Sequence, residues 1–498
     1  MKTIIQLLKG LTYEVVAGRE DLTIPEIVND TRKVTEGCLF FCIIGANRDG
    51  HDLAGEAYEK GARCFIVSKD IILPDAAGEE GKGQATVIKV EDTRYAMAFI
   101  SANFYDNPGD TLKVIGVTGT KGKTTTAFLV KDILEQAGYK VGLIGTIETI
   151  IGEKHIPAAN TTPESLVLQQ TFREMVDAGI QICVMEVSSQ GLKLHRTQGF
   201  TFEIGLFTNI EPDHIGPNEH ADFAEYMMCK GLLFKQCRKG IINGDDPRSQ
   251  EVIQGHTCEI ETYGLTPDSD LWADSIRLIR DGGRLGVAFR VEGKLSYDVE
   301  TGTPGTFSVY NALAAIAICR HFEISPQVVQ TALKEAKVKG RIEPVKVSDD
   351  FTLLIDYAHN AMSLESLLKT LRAYEPHRLV CLFGCGGNRS KLRRYEMGEI
   401  SGKLADLTII TSDNPRDEDP MDIIADIKTG IGKTDGAYVE IPDRKEAIRY
   451  AIRNGQPGDI VVLAGKGHED YQEIKGVKYP MDERVLIREI LEENGQEG

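Results

Sequence analysis

The sequence predicts an α/β protein of three domains, in which a central P-loop ATPase-like parallel-sheet domain is followed by a Rossmann-like C-terminal domain. Three observations carry that reading. The loop Thr118-Gly119-Thr120-Lys121-Gly122-Lys123-Thr124-Thr125-Thr126 stands between a β-branched run, Lys113-Val114-Ile115-Gly116-Val117, and a helical pattern that ends at Gly138. Strand and helix patterns alternate through this region and again through the last third of the chain, as in parallel sheets. A chain of 498 residues is also too long for one hydrophobic core. Turn chemistry at Asn107-Pro108-Gly109-Asp110 and at Gly340-Arg341-Ile342-Glu343 sets expected domains of 1–108, 109–338 and 339–498.

Composition narrows the function. Asp and Glu outnumber Lys and Arg by 75 to 57, and the net charge of -18 argues against a nucleic-acid partner, which needs a basic surface. The ten cysteines include no CxxC pair, and reduced buried thiols are expected. The apolar start, Met1 to Leu8, is broken at Lys9 and Gly10, too soon for a secretory leader, and no run of membrane-spanning length follows. A cytoplasmic protein without membrane insertion is expected.

In the first domain, strands are expected at Gly37–Ile43 and Cys64–Val67. Asp30-Thr31-Arg32 and the segment Gly45 to His51 suit a phosphorylated ligand or an ordinary surface turn equally well.

The central loop has the context of a phosphate-binding loop. Glycines let backbone N–H groups close around phosphate oxygens, and the helix N-terminus adds partial positive charge. Lys123 would reach the β- and γ-phosphates of ATP, and the Thr124 hydroxyl would face a magnesium ion. Val117 stands where the usual loop has its first glycine, so this is a variant. Val141–Thr146 and Ile180–Val187 read as further strands. The second ends in Glu186-Val187-Ser188-Ser189, and an acid at a strand end beside a phosphate loop is placed to hold magnesium. Thr208-Asn209 and Asp213-His214 follow at another strand end. Lys230 lies inside the apolar helical stretch Tyr226 to Phe234. The pattern favours a lysine that snorkels to solvent. The other reading is a neutral amine that takes up carbon dioxide as a carbamate.

In the last domain, strands at Leu353–Ile355, Leu379–Phe383, Leu407–Ile410 and Ile460–Leu463 each end in polar or glycine-rich residues. These ends are Asp356-Tyr357-Ala358-His359-Asn360, Gly384-Cys385-Gly386-Gly387-Asn388-Arg389, Asp413-Asn414-Pro415-Arg416 and Gly465-Lys466-Gly467-His468-Glu469. Four such ends on one edge define a crevice. The absence of a GxGxxG fingerprint excludes a dinucleotide.

Taken in order with Asn160-Thr161-Thr162-Pro163 and Glu186-Val187-Ser188-Ser189, these landmarks resemble the Mur ligases along the whole chain. The resemblance implies ATP-dependent amide formation on a peptidoglycan precursor, here UDP-N-acetylmuramoyl-L-alanyl-D-glutamate, through an acyl phosphate. It implies that Gly119, Thr120, Lys121, Gly122, Lys123, Thr124, Thr125, Asn311, Arg341 and Asp356 bind ATP. Thr31, Asn160, Thr161, Thr162, Ser188 and Arg196 would hold the UDP substrate. Thr124, Glu186, His214 and a carbamylated Lys230 would serve magnesium, with Lys123, Glu186, His214 and Lys230 as the catalytic set. Arg389, Asp413, Asn414, Pro415, Arg416, Gly465 and Glu469 would take the incoming amino acid. Departures from the family pattern fall at Ser308, Ala361, Met362, Asn388 and Leu194. A monomer acting on small molecules is expected, its three domains closing around the reactants.

The resemblance and the chemistry together imply meso-2,6-diaminopimelate as the amino acid. It differs from L-lysine by one carboxylate, which a guanidinium binds through two parallel hydrogen bonds. Arg416 is placed to do this and would be left unpaired by lysine, unless it pairs with Asp417, Glu418 or Asp419. The alternatives are the same ligation with L-lysine and a folylpolyglutamate synthase-like ligase, which shares the loop and the chemistry.

Overall fold

The structure is a computed structural model that describes residues 1–498 apart from 47, 75–84, 217–218, 282 and 497–498, and apart from the side chains of 494–496. Asn47, within the anticipated 45–51 ligand segment, therefore lies outside the described residues. The chain forms two compact units, one of residues 1–264 with 268–270 and 314–324, the other of 265–267, 271–313 and 325–498.

The first unit holds two principal sheets. The smaller runs in the order Glu14–Ala17, Thr86–Lys89, Cys64–Val67, Leu39–Phe41 and Ile27–Val28, parallel except at Glu14–Ala17. Its central strands are apolar on both faces because helices or loops cover both sides. The larger runs Lys154–Pro157, Glu148–Ile151, Val141–Ile144, Ile182–Glu186, Lys113–Thr118, Phe202–Phe207, Cys237–Asn243 and Glu259–Gly264. From Val141–Ile144 onward its pairings are parallel. Ile182–Glu186 and Phe202–Phe207 flank Lys113–Thr118 on opposite sides, so its C-terminal end is a topological switch point, where crevices open in such sheets. The register sets Glu186 beside Val117, one residue before the loop strand ends.

The second unit begins with three antiparallel strands, Leu271–Asp281, Arg284–Gly293 and Tyr297–Thr301. The strand–helix alternation did not anticipate these, since their mixed charged and apolar residues carry only a weak period of two. Its main sheet runs Glu343–Val345, Thr352–Asp356, Ile460–Ala464, Leu379–Phe383, Leu407–Ile410 and Tyr438–Glu440, parallel except at the first edge. The last strand in sequence inserts between the first two parallel ones, which brings the ends after 356, 383 and 464 together. A short hairpin, Tyr471–Ile474 with Val477–Pro480, follows. The sequence reading had not singled it out.

All ten cysteines are buried free thiols, as expected. Among the described residues no helix is long and apolar enough to cross a membrane.

One buried ion pair ties the strand ends of this sheet together. Arg444, at the start of the helix Arg444–Arg453, donates to Glu483 Oε1 from Nε at 2.9 Å and to the carbonyls of Ser412 and Ala464, each at 3.1 Å. Both side chains are almost fully shielded from water. Removing one partner leaves a buried charge uncompensated, which costs about 3–5 kcal/mol. Glu483→Ala should therefore lower the unfolding midpoint markedly, whereas exposed-pair changes such as Lys369→Ala should move it by less than about 1 kcal/mol. Thermal and denaturant unfolding of both variants checks this.

Candidate active site

The phosphate loop is shaped by the strand end next to it. Gly119 and Gly122 have φ of +147° and +83°, conformations that side chains avoid, and a Cβ on Gly119 would collide with Thr208 Oγ1. Thr208 Oγ1 donates to Lys121 O at 2.7 Å. Asn209 clasps the same residue, its Oδ1 accepting from Lys121 N at 2.9 Å and its Nδ2 donating to Lys121 O at 3.1 Å. The anticipated polar strand end thus sculpts the loop. The helix Lys123–Gln136 begins directly after it, with no side-chain cap on its first N–H groups. Those donors and the helix dipole favour an anion. Lys123 Nζ folds back onto the carbonyls of Gly119 and Thr120, at 2.9 and 3.0 Å. A phosphate offers it a stronger, charged acceptor.

Glu186 is buried, at 1% exposure. Its carboxylate accepts from Thr124 Oγ1 at 2.9 Å, from Thr146 N at 2.8 Å and from Thr146 Oγ1 at 3.0 Å. A hydroxyl and a carboxylate, both oxygen donors, side by side at a phosphate loop suit a hard cation that takes its remaining ligands from phosphate and water. Among the described residues no group of three His, Cys, Asp or Glu is placed to hold a metal ion.

The anticipated substrate residues continue from this carboxylate. Thr146 Oγ1 lies 3.0 Å from Thr161 Oγ1. Thr162 Oγ1 donates to the Glu186 carbonyl at 3.0 Å and accepts from Ser188 N at 2.9 Å. Arg196 donates to Thr162 O at 2.9 Å and pairs with Glu164, which also pairs with Arg94 of the first sheet's helix Thr93–Phe104. Thr161, Thr162, Ser188, Arg196 and Glu186 therefore form one network. Asn160 is exposed beside it. Thr31 stands apart, on a short turn capped by Asp30.

Lys230 corrects the snorkelling expectation. It is 2% exposed, and its Nζ donates to Gly119 O at 2.8 Å and lies 4.5 Å from the centre of the Tyr226 ring. The face of the helix Phe223–Gly231 that carries it packs on the phosphate loop, so the stem runs inward. Burial, helped by the nearby Lys123 charge and opposed by Asp213, pushes its pKa well below the ordinary lysine value. His214 is exposed, in a left-handed backbone conformation, with Nδ1 3.3 Å from Glu219 Oε1. His220, Thr146 and Tyr226 were not singled out from sequence. His220 is buried, its Nε2 2.9 Å from Ser189 Oγ, and Tyr226 OH lies 3.0 Å from Thr120 Oγ1. Asp222 caps the helix that carries Tyr226, its side chain accepting from Glu225 N.

In the second unit Asp356 accepts from the amides of Ile342 and Ala358, each at 2.8 Å. Burial raises its pKa, against the pull of Arg341 and these amides. The Arg341 guanidinium lies 4.8 Å from the Tyr357 ring centre. Asn311 is buried in the helix Thr306–Cys319. Ser308, one of the departures, spends its hydroxyl on Pro304 O at 2.8 Å.

The loops after 383, 410 and 464 meet at a charged cluster. Lys466 is buried, and its Nζ donates to Asn414 Oδ1 and Glu469 Oε2, both at 2.9 Å, with Asp413 at 3.6 Å. Asn414 Nδ2 also donates to Glu469, at 3.0 Å. Gly387 N donates to Asn414 O at 2.8 Å, and a Cβ on Gly387 would collide with Pro415 O. Arg389 is exposed on that neighbouring loop. Arg416 corrects two expectations. It pairs with none of Asp417, Glu418 or Asp419, and without a ligand it is not left unpaired. Its Nε donates to Glu473 Oε2 at 3.1 Å and its Nη1 to Gly387 O at 2.7 Å. Glu418 is drawn instead to the buried Arg394.

Residues 23–105, 117–319 and 340–467 match the domain families described as "Mur ligase family, catalytic domain", "Mur ligase middle domain" and "Mur ligase, glutamate ligase domain". The UDP-N-acetylmuramoyl-L-alanyl-D-glutamate--2,6-diaminopimelate ligase 1 of Clostridium acetobutylicum is 44% identical over 492 residues, 98% of this chain and 99% of that one. The corresponding ligase of Clostridium perfringens is 41% identical over 493 residues, 98% of this chain and 99% of that one. A solved structure of a UDP-N-acetylmuramoyl-L-alanyl-D-glutamate--2,6-diaminopimelate ligase superposes with a TM-score of 0.73 at 28% identity, covering 99% of each chain.

The buried amine of Lys230 has a thermodynamic consequence. The unfolded chain protonates this lysine below about pH 10.4, whereas the folded site disfavours the charge. The unfolded state then binds more protons between the two pKa values, so this residue costs stability that is recovered as pH rises toward about 10.4. In buffer freed of carbon dioxide, Lys230→Met should be at least as stable as the wild type near pH 8, and its advantage should shrink with rising pH. Urea midpoints of both proteins from pH 7 to 10 measure this.

Proposed function

The chain belongs to the Mur ligase family, and on that premise we propose that it joins meso-2,6-diaminopimelate to UDP-N-acetylmuramoyl-L-alanyl-D-glutamate at the cost of ATP. The relatives that span its full length bear that activity in their names. The observation that carries the choice of amino acid is Arg416, a guanidinium fixed at a strand end and next to the Lys466–Asn414–Glu469 cluster.

The reaction follows from the weakness of a carboxylate as an electrophile at neutral pH. Transfer of the γ-phosphoryl group from ATP to the D-glutamate carboxylate gives an acyl phosphate and ADP. The amine of diaminopimelate then attacks the acyl carbon, and inorganic phosphate leaves as the amide forms. Gly119, Thr120, Lys121, Gly122, Thr124 and Thr125 present loop and helix N–H groups to the phosphates, and Lys123 exchanges its carbonyl partners for phosphate oxygens. Thr124 and Glu186 hold magnesium, which when bound offsets the charge on the phosphoryl oxygens. His214 is assigned to the same task by its place in the family pattern.

Lys230 fits the carbamate assignment. A buried amine with a depressed pKa is a neutral nucleophile, and it adds to carbon dioxide with loss of one proton. The product is an anion beside the phosphate loop, able to act on magnesium or the transferred phosphoryl group.

Asn311, Arg341 and Asp356 are assigned to ATP. Thr31, Asn160, Thr161, Thr162, Ser188 and Arg196 are assigned to the UDP-dipeptide, a reading that the hydrogen-bond chain from Glu186 through Thr146 to Thr161 supports. Arg389, Asp413, Asn414, Pro415, Arg416, Gly465 and Glu469 are assigned to the amino acid, with Glu469 meeting its distal ammonium. A folylpolyglutamate synthase-like activity is disfavoured by the full-length likeness to the muramyl ligases.

Lys123→Ala should abolish turnover, because the phosphates lose their nearest cation. Lys230→Ala should be nearly inactive and regain some rate with added short carboxylic acids. An Lys230→Ala protein of wild-type rate would remove the carbamate from the reading. Diaminopimelate should be preferred over L-lysine. Two charge-assisted hydrogen bonds at roughly 1.5–3 kcal/mol each bound the ratio of kcat/KM between about 10² and 10⁴. The lower end is expected, because Arg416 keeps Glu473 and Gly387 when lysine is offered. Arg416→Ala should erase most of the preference. Equal use of the two amino acids by the wild type would overturn the assignment.

A further inference from the structure

The residue that presents Arg416 is not part of any strand-end motif. Arg416 lies 57 positions from Glu473, which sits on the hairpin strand Tyr471–Ile474. This strand binds the 412–416 loop as an added edge. Gln472 Nε2 donates to Ser412 Oγ at 3.0 Å and to Asp413 O at 2.7 Å. Glu473 N donates to Asn414 Oδ1 at 2.9 Å. Arg416 N donates to Glu473 O at 3.0 Å, and Lys475 N donates to Arg416 O at 2.9 Å. Held this way, Arg416 keeps φ at +52°, a left-handed conformation uncommon for a residue other than glycine.

We propose that Glu473 is the positioning residue that aims Arg416 at the distal carboxylate of the incoming amino acid, which rests on the diaminopimelate reading above. A guanidinium has five N–H donors in a rigid fork. Glu473 Oε2 occupies the Nε position and Gly387 O one of the Nη1 positions. With Cδ as the third, these two fixed points determine the plane of the fork. Nη2 has no hydrogen-bond partner among the described residues, so the end of the fork formed by Nη1 and Nη2 is the edge offered to a ligand. Gly386 keeps that approach clear, since a Cβ there would stand 3.1 Å from Arg416 Nη1. Glu473 also neutralises Arg416 while the site is empty. Binding then adds one carboxylate to a preformed pair and does not have to order a free arginine, whose rotamer entropy would otherwise be lost on binding.

The role predicts a split between binding and turnover. In Glu473→Ala the fork loses its Nε anchor, and KM for diaminopimelate should rise by about tenfold or more, with kcat at saturation within about threefold of wild type. KM for ATP and for the UDP-dipeptide should not change, and the preference over L-lysine should fall by a similar factor. In Glu473→Gln the amide oxygen can still accept from Nε, so KM for diaminopimelate should return to within about threefold of wild type. Steady-state kinetics of the three proteins with each amino acid decide it. An unchanged KM for diaminopimelate in Glu473→Ala overturns the proposal. So does a parallel rise in all three Michaelis constants, which marks a general folding defect, or a Glu473→Gln protein as impaired as Glu473→Ala. Failure of the diaminopimelate reading itself shows separately, in the wild-type arm, as equal use of lysine.

Discussion

A carboxylate shielded from water persists as an anion only if hydrogen bonds or a cation replace its hydration, and the first unit is arranged to supply these at Glu186. Three donors converge on it from the phosphate helix and from the Thr146 turn. Gly145 has no side chain because a Cβ there would run into the same carboxylate. The register that sets Glu186 beside Val117 fixes its distance from the phosphate loop to the length of one strand pairing. Four of the anticipated substrate residues are connected to this point. Thr146 leads to Thr161, the Glu186 carbonyl to Thr162, and Thr162 to Ser188 and Arg196. The loop helix at Thr124 and the Thr161–Thr162 turn are therefore joined through one carboxylate.

Lys230 adds a second consequence of burial. An amine among apolar residues is a cost to folding in its charged form, and the helix that carries it could have buried a methionine at no such cost. A group kept in this state is a candidate for chemistry. Its neighbours are the loop carbonyl of Gly119 and the ring of Tyr226, with Lys123 close enough to depress its pKa further. Two charged lysines near one phosphate loop repel each other, and burial disfavours the charge on Lys230.

The second unit handles charge differently. Among the described residues it has three buried cations, Arg394, Arg444 and Lys466, and each donates to carboxylates or carbonyls. These pairs act beside the apolar packing of Ala358, Cys385 and Ala464 at the same strand ends. Gly384 and Gly387 let the loops approach backbone to backbone, and the ion pairs supply the directionality that such loops lack.

The sequence by itself determined what depends on near neighbours along the chain. The strand, glycine turn and helix around Lys123, the strand ends at Glu186, Asp356 and Asp413, and the alternation that makes two parallel sheets all follow from periodicity and turn chemistry within a dozen residues. Only the tertiary structure decided what depends on the return of distant segments. Lys230 reads as a snorkelling lysine in its own helix and turns inward because that face meets Gly119, 111 residues away in sequence. Arg416 has three acids immediately after it, yet it pairs with Glu473 because the hairpin Tyr471–Ile474 folds back along its loop. A local sequence states which charges are present, but a side chain answers to whichever partner the fold brings within about 3 Å at the right angle, and that partner is chosen by the path of the whole chain.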